Sequence, residues 1–170
     1  MTLSQVFIAG HTLISIAAII VGVFALRDVF RAQASSTSLT AFIVLAIATS
    51  ATGFILPLHG VSPGVVISIV ALIILAAVLL SRGRLDESRW ARWVYVGGLV
   101  ASEYLLIFVG VVQAFVKIPP LTALAPTQSE PPFTVAQGIV LVAFVLIGVL
   151  ALRAFRPEGA SFPSARRTRA

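Results

Sequence analysis

Three groups of side chains in this sequence could do chemistry. The first is a single carboxyl. Glu103 is the only acidic residue inside a long apolar run, near the middle of residues 94–116. A bare carboxylate at the centre of a membrane helix costs about 3 kcal/mol on insertion scales. Glu103 is therefore expected to be protonated, or to touch water or a polar partner. It is a candidate proton-carrying or ion-binding group. The alternative is a neutral acid hydrogen-bonded to hydroxyls or backbone carbonyls of a neighbouring helix.

The second group is a pair of imidazoles, His11 and His59, the only histidines in the chain. Imidazole is a common axial ligand of haem and of other metals. The pair suggests haem b or a two-histidine metal site, with hydrogen-bonded helix-end histidines as the structural alternative. Their depths match poorly for one iron. His11 lies about six residues, or roughly 9 Å, below the end of its run, while His59 sits at a turn.

The third group is a set of polar residues expected to gather toward one end of the apolar runs. Thr49, Ser50, Thr52, Gln113 and Gln137 belong to it, with Ser68 nearby and Glu130 in the longest connection. This asymmetry argues for a ligand or interaction site open at that end, roofed by the loop from Lys117 to Phe133.

These residues must be positioned by elements whose class is set by composition. The chain has 170 residues, 59% hydrophobic and only 11% charged, with a mean hydropathy of +1.07. Soluble domains are typically about 45–50% apolar and about 25% charged, so the excess of apolar side chains points to lipid. The expected fold is all-α, a polytopic transmembrane helix bundle. Five runs have or approach the ~20 apolar residues that a bilayer crossing needs. They cover about 5–26, 39–58, 63–80, 94–116 and 134–152, within a membrane domain spanning 1–156. Residues 157–170 form a basic tail expected to be disordered. The first run lacks a positively charged leader region, is too long for a signal core and is followed by Arg27, so a retained span is expected.

Punctuation between the runs supports the parsing. Ser35-Ser36-Thr37-Ser38 can cap the second helix. Ser62 is a natural N-cap and Pro63 fits a first helical position. Gly53 and Pro57 should loosen the outer half of the second helix. Gly97, Gly98, Ala101 and Ser102 form small-residue pairs that allow close helix packing, and Ala18 with Gly22 does so more weakly. The loop Lys117–Phe133 is rich in proline, and Glu130, before a proline, should be extended.

The twelve Lys and Arg residues sort by side. Arg27 and Arg31 follow the first run. Arg82, Arg84, Arg89 and Arg92 follow the third, and Arg153, Arg156, Arg166, Arg167 and Arg169 follow the fifth. Lys117 alone falls opposite. Cytoplasmic loops carry the excess of Lys and Arg. The N-terminus is therefore expected outside and the C-terminus in the cytoplasm, with the basic segments near anionic lipid headgroups. Trp90, Trp93 and Tyr95 fall where an interfacial aromatic belt would sit. The net charge of +6 is read as orientation and not as nucleic-acid binding. With no cysteine, disulfides, thiol catalysis, cysteine zinc sites and iron–sulfur clusters are excluded.

The stretches Thr52-Gly53-Phe54 through Pro57, Val112-Gln113-Ala114-Phe115 and Leu124 to Phe133 resemble a group of small bacterial multi-span inner-membrane proteins of the domain-of-unknown-function type. The likeness covers most of residues 5–156. The helix carrying His11 is more distantly similar to a larger family of multi-span bacterial membrane proteins. The resemblance implies a bacterial inner-membrane location and carries no activity. Such relatives have a Tyr-Leu-Asn step where this chain has Tyr104-Leu105-Leu106.

The leading functional expectation is a non-enzymatic integral membrane protein with a ligand or interaction site on its outer half, alone, as a homo-oligomer or with a partner membrane protein. A haem-binding electron-transfer protein using His11 and His59 is one alternative. An oligomeric proton-linked transporter of small solutes centred on Glu103 is another. An intramembrane enzyme ranks last, since the chain has no His-Glu-x-x-His, no paired catalytic carboxylates and no phosphate loop.

Overall fold

The computed structural model describes residues 3–54 and 63–156. His59, Pro57, Ser62 and the basic tail lie outside the described residues, and with them the expected kink, cap and disorder. Six helices follow one another, with no strand among the described residues: α1 Leu3–Phe30, α2 Thr37–Gly53, α3 Pro63–Arg82, α4 Arg89–Lys117, α5 Pro119–Leu124 and α6 Pro131–Ala154. Four of them, α1, α3, α4 and α6, are long and apolar enough to cross a membrane. At 17 residues, α2 is shorter. Its last helical residue, Gly53, stands four before Pro57. Proline has no N–H to return a helical bond to that carbonyl.

The helices run past the apolar runs at several ends, because a polar residue does not stop a helix that has a cap. Ser36 accepts from the Leu39 N–H at 3.1 Å and starts α2. Ser88 accepts from the Ala91 N–H at 3.4 Å and starts α4 five residues before the apolar run. Proline in the first turn starts α6 at Pro131 and makes a six-residue helix, α5, within the segment Lys117–Phe133 expected to be loop. Glu130 is extended as expected, at φ −75° and ψ 155°. Helix α1 continues past Arg27 to Phe30. It closes on Ala32 in a left-handed conformation, φ 56°, with the Gln33 N–H bonded to the Asp28 carbonyl at 3.0 Å. That is the usual helix-ending arrangement, with alanine where glycine is preferred.

Helix α1 packs along α2, α3 along α4, and α6 along α4, with α4 also touching α1 and α5. The packed core lies toward one end. It is built from Ala25, Leu26, Val29, Leu39, Phe42, Ile43, Leu75, Val78, Tyr95, Val96, Leu99, Val100, Ala151 and Phe155, among others. This is the basic end. Arg82 donates to Ser35 Oγ at 3.1 Å, and Tyr95 donates its hydroxyl proton to the Ala34 carbonyl at 3.1 Å.

Tyr95 is thus no member of an aromatic belt. It is fully buried, 6.0 Å from the Phe155 ring, because a hydroxyl one turn inside α4 reaches the α1–α2 connection. Trp90 and Trp93 do face outward. Lys117, at the opposite end of α4, is separated from every described arginine.

Small residues allow close packing at particular points. A methyl group at Gly98 would overlap Val78 of α3, and one at Gly22 would overlap the Glu103 carboxyl. Gly97 faces open space. The weaker small-residue pair of α1 therefore makes the tighter contact, and the α4 pattern is used on one of its two faces.

Candidate functional site: a cavity between four helices

Where the packed core stops, α1, α2, α3 and α4 separate around a cavity of about 670 Å³. Small-molecule sites range over about 300–1,000 Å³. Ile16, Ile19, Ala71, Leu75, Leu106 and Val109 form apolar walls, and His11, Lys117 and Ile118 also line it.

On α1 the cavity face reads Ile8, His11, Thr12, Ser15, Ile16 and Ile19. These positions recur every three or four residues and so lie on one stripe of the helix. Thr12 and Ser15 were not singled out from sequence, although the His11–Ser15 spacing carried that signal. Both hydroxyls bond their own helix: Thr12 donates to the Ile8 carbonyl at 2.8 Å and Ser15 to the His11 carbonyl at 2.7 Å. A hydroxyl that donates back to a helix carbonyl stays satisfied without water.

Thr52 holds the His11 ring in place. The Thr52 hydroxyl lies 2.8 Å from the Ala48 carbonyl, 3.1 Å from the Thr49 carbonyl and 2.9 Å from His11 Nδ1. When the hydroxyl proton goes to a helix carbonyl, the ring is the donor to Thr52 Oγ1. A neutral imidazole with its proton on Nδ1 offers Nε2 as an acceptor or metal ligand. Among the described residues, nothing hydrogen-bonds His11 Nε2.

Two other hydroxyls on the cavity wall behave differently. Thr49 and Ser102 are 9% and 2% exposed, and among the described residues neither oxygen has a hydrogen-bond partner. Ser50 and Ser68 also line the space. Gly53 keeps α2 close to α3 there, since a Cβ at that position would sit 2.7 Å from Ser68 Oγ.

The expected polar cluster therefore divides. Thr49, Ser50 and Gln113 meet around the cavity with His11, and Thr52 stands behind His11 as its anchor. Gln137 bonds across to α4 instead, its Nε2 donating to the Phe108 carbonyl at 3.1 Å. Glu130 stays within its own turn. It accepts from the Thr127 hydroxyl at 2.9 Å and from the Thr127 and Ser129 N–H groups at 3.1 Å.

Of the loop expected to roof the cavity, only Lys117 and Ile118 line it among the described residues. Thr122 donates to the Phe115 carbonyl at 2.7 Å, and the Phe115 and Phe133 rings meet edge to face at 5.3 Å. These contacts draw α5 and its turn over the ends of α4 and α6. Among the described cavity residues, none follows Ile118.

Glu103 lies outside the cavity, although its neighbour Ser102 lines it. It is fully buried, both carboxyl oxygens lack hydrogen-bond partners among the described residues, and the carboxyl rests on Gly22 of α1. The hydroxyl or carbonyl partner expected from the sequence is not among the described residues.

Among the described residues, no three His, Asp or Glu side chains are placed to hold a metal. The second imidazole of the haem reading, His59, is not described. The low rank of an enzyme reading also rested on the absence of Gly-x-Ser-x-Gly, and that is corrected here: Gly60-Val61-Ser62-Pro63-Gly64 spells it. That pattern acts in hydrolases at a strand-to-helix turn. Here it joins α2 to α3, so the pattern alone carries no hydrolase argument. No family model, curated protein or solved structure matches the chain.

Proposed function

We propose that this is a non-enzymatic integral membrane protein that binds a small ligand in the cavity between α1, α2, α3 and α4. The observation that carries the reading is the convergence of His11, Thr49, Ser50, Ser102 and Gln113 from three helices on one cavity above a solidly packed half. In this reading α2 is also a span, which makes five. The N-terminus and the cavity mouth face outside, and the C-terminus is cytoplasmic. Arg27, Arg31, Arg82, Arg84, Arg89, Arg92, Arg153 and Arg156 fall at one end of the bundle with Lys117 at the other, and this supports that orientation. It also supports contact of the basic end with anionic lipid. The location proposed is the inner membrane of a bacterium, which rests on the resemblance of the loop and of the Val112–Phe115 stretch.

The test uses the absence of native cysteine. Ser15→Cys is labelled in right-side-out and in inverted membrane vesicles with a small, charged thiol reagent that does not cross lipid. The expected result is labelling only in right-side-out vesicles, blocked by Gly110→Leu, which narrows the cavity. Labelling only in inverted vesicles would overturn the orientation. No labelling in either would remove the open cavity.

A second reading, proton-linked transport by an oligomer, is favoured by one observation: the fully buried, unpartnered Glu103 carboxyl. Its test is proton uptake into vesicles reconstituted with wild type and with Glu103→Gln. Transport requires a flux that the variant loses while keeping its fold. Equal uptake by both proteins would remove the reading.

A further inference from the structure

We propose that the cavity takes a single-chain fatty carboxylate, with its head at Lys117 and Gln113 of α4 and its hydrocarbon chain between α1 and α4. The inference rests on the cavity reading above and adds the chemical class of the ligand.

The cavity is long and changes character along its length. Its lining runs from Ile8 to Ile19 on α1 and from Ser102 to Ile118 on α4, about 16 and 24 Å of helix rise. On α1, His11 and Thr12 come first, and Ile16 and Ile19 follow. On α4, Val109 and Leu106 lie deeper than Lys117 and Gln113, toward the packed core. The polar ends of the two faces stand together, since the Lys117 ammonium is close enough to the His11 ring for its charge to act there. Beyond them the space is apolar. The Thr49 and Ser102 oxygens are buried behind the wall and out of reach from it. No aromatic ring is among the described lining residues. A long apolar space with one polar end fits a hydrocarbon chain with a head group, and offers a flat ring nothing to stack on.

The head is assigned by the donors left free and by charge. Thr12 and Ser15 give their protons to their own helix at 2.8 and 2.7 Å. Thr52 is engaged with His11 and the Ala48 carbonyl. No hydrogen bond or ion pair engages the side chain of Lys117 or Gln113 among the described residues. Both line the cavity and both are exposed. Four residues apart on α4, they share one face of the helix. The chain has six acids, and no described one pairs with Lys117. Asp28, Asp86 and Glu87 lie at the arginine end, Glu103 is pressed on Gly22, and Glu130 closes its own turn. Glu158 lies outside the described residues, and residues 55–62 contain no acid. One ammonium beside an apolar space selects one negative charge. The neighbouring amide gives a carboxylate a second donor for its two oxygens. A cationic head would be repelled, and a neutral head would leave the ammonium unanswered.

The experiment measures binding of three radiolabelled probes of equal chain length to the full chain in zwitterionic lipid nanodiscs, with empty discs as background. The probes are dodecanoate, 1-dodecanol and dodecylammonium, at about pH 9, where carboxylate and ammonium groups are both charged. The expected result is saturable binding of dodecanoate near one per protein, with the other two roughly tenfold weaker or more. Lys117→Gln is expected to weaken dodecanoate roughly tenfold, while Lys117→Arg keeps it. Gly110→Leu, which narrows the cavity, is expected to abolish it. 1-Dodecanol or dodecylammonium binding as tightly as dodecanoate would overturn the carboxylate assignment and leave the cavity reading intact. So would a folded Lys117→Gln protein that binds dodecanoate like the wild type. Undiminished binding by a folded Gly110→Leu protein would put the chain elsewhere and overturn the assignment too. If none of the three probes saturates, the carboxylate assignment fails. The Ser15→Cys labelling then decides separately whether the cavity reading fails with it.

Discussion

The carboxyl of Glu103 lies directly on the backbone of Gly22, in a notch that a single methyl group would fill. Glu103 is on the face of α4 that α1 covers, so the missing side chain at Gly22 is what lets the acid sit between the two helices. The contact joins the packed end of the bundle to the start of the cavity, because the adjacent residue, Ser102, lines the cavity itself.

Gly22→Ala should therefore destabilise the protein by about 1–3 kcal/mol, the usual cost of overpacking a core. Glu103→Ala removes the atoms that the new methyl would meet. In that background the same alanine at position 22 should cost far less, giving a coupling between the two sites in a double-mutant cycle. Thermal or denaturant unfolding in detergent measures each protein. Equal costs in both backgrounds would mean that the overlap with Glu103 is not their source.

Ala32 holds a left-handed backbone, φ 56°, just beyond the end of α1. An L-residue with a Cβ is strained there and glycine is not. Ala32→Gly is expected to stabilise the protein by up to about 1 kcal/mol, net of the greater freedom of glycine in the unfolded chain. A rise in melting temperature checks this, and a fall would show that the helix end relaxes without the left-handed residue.

Tyr95→Phe removes the hydroxyl that bonds the Ala34 carbonyl at 3.1 Å while keeping the ring beside Phe155. The expected loss is about 1 kcal/mol, the net worth of one buried hydrogen bond. Trp93→Phe, on an exposed face of the same helix turn, should change stability by less than about 0.5 kcal/mol. If the two variants unfolded alike, Tyr95 would be acting through its ring alone.

Glu130 lies outside the membrane-spanning helices and closes its own turn. Desolvation in the turn works to raise its pKa. The hydrogen bonds at the Glu130 backbone, from the Thr127 hydroxyl and from the Thr127 and Ser129 N–H groups together outweigh it, and the pKa is lowered. A lowered folded value means that the ionised acid stabilises the turn above its unfolded pKa of about 4.3. That contribution is lost as pH falls through the folded value. The Thr127 and Ser129 amide resonances should titrate together with a midpoint below about 4.3, and Glu130→Gln should abolish the titration. A midpoint above that value would reverse the sign.

Much of this architecture is legible along the chain because it depends on composition. The apolar runs, the serine at the start of α2, the proline start of α3, and the separation of arginines from Lys117 need only local information. The ends were legible less well. Ser88 starts α4 before the apolar run, and Pro119 starts a short helix in the loop, because caps and prolines act on the backbone whatever the hydropathy around them.

Which polar side chains meet was decided by the tertiary structure. Each residue of a helix turns by about 100°, so helix rotation, rather than depth in the sequence, determines a neighbour. Thr49 faces the cavity while Thr52, one turn away, anchors His11. Gln113 lines the cavity and Gln137 bonds Phe108. Ser102 is on the wall while Glu103, the next residue, is pressed on Gly22. The sequence by itself determined a chain of apolar helices with basic residues gathered at one end, since each helix carries that information alone. Only the packing of four helices decided that His11 meets Thr52 and that Glu103 rests on Gly22, because each contact depends on atoms supplied by another helix.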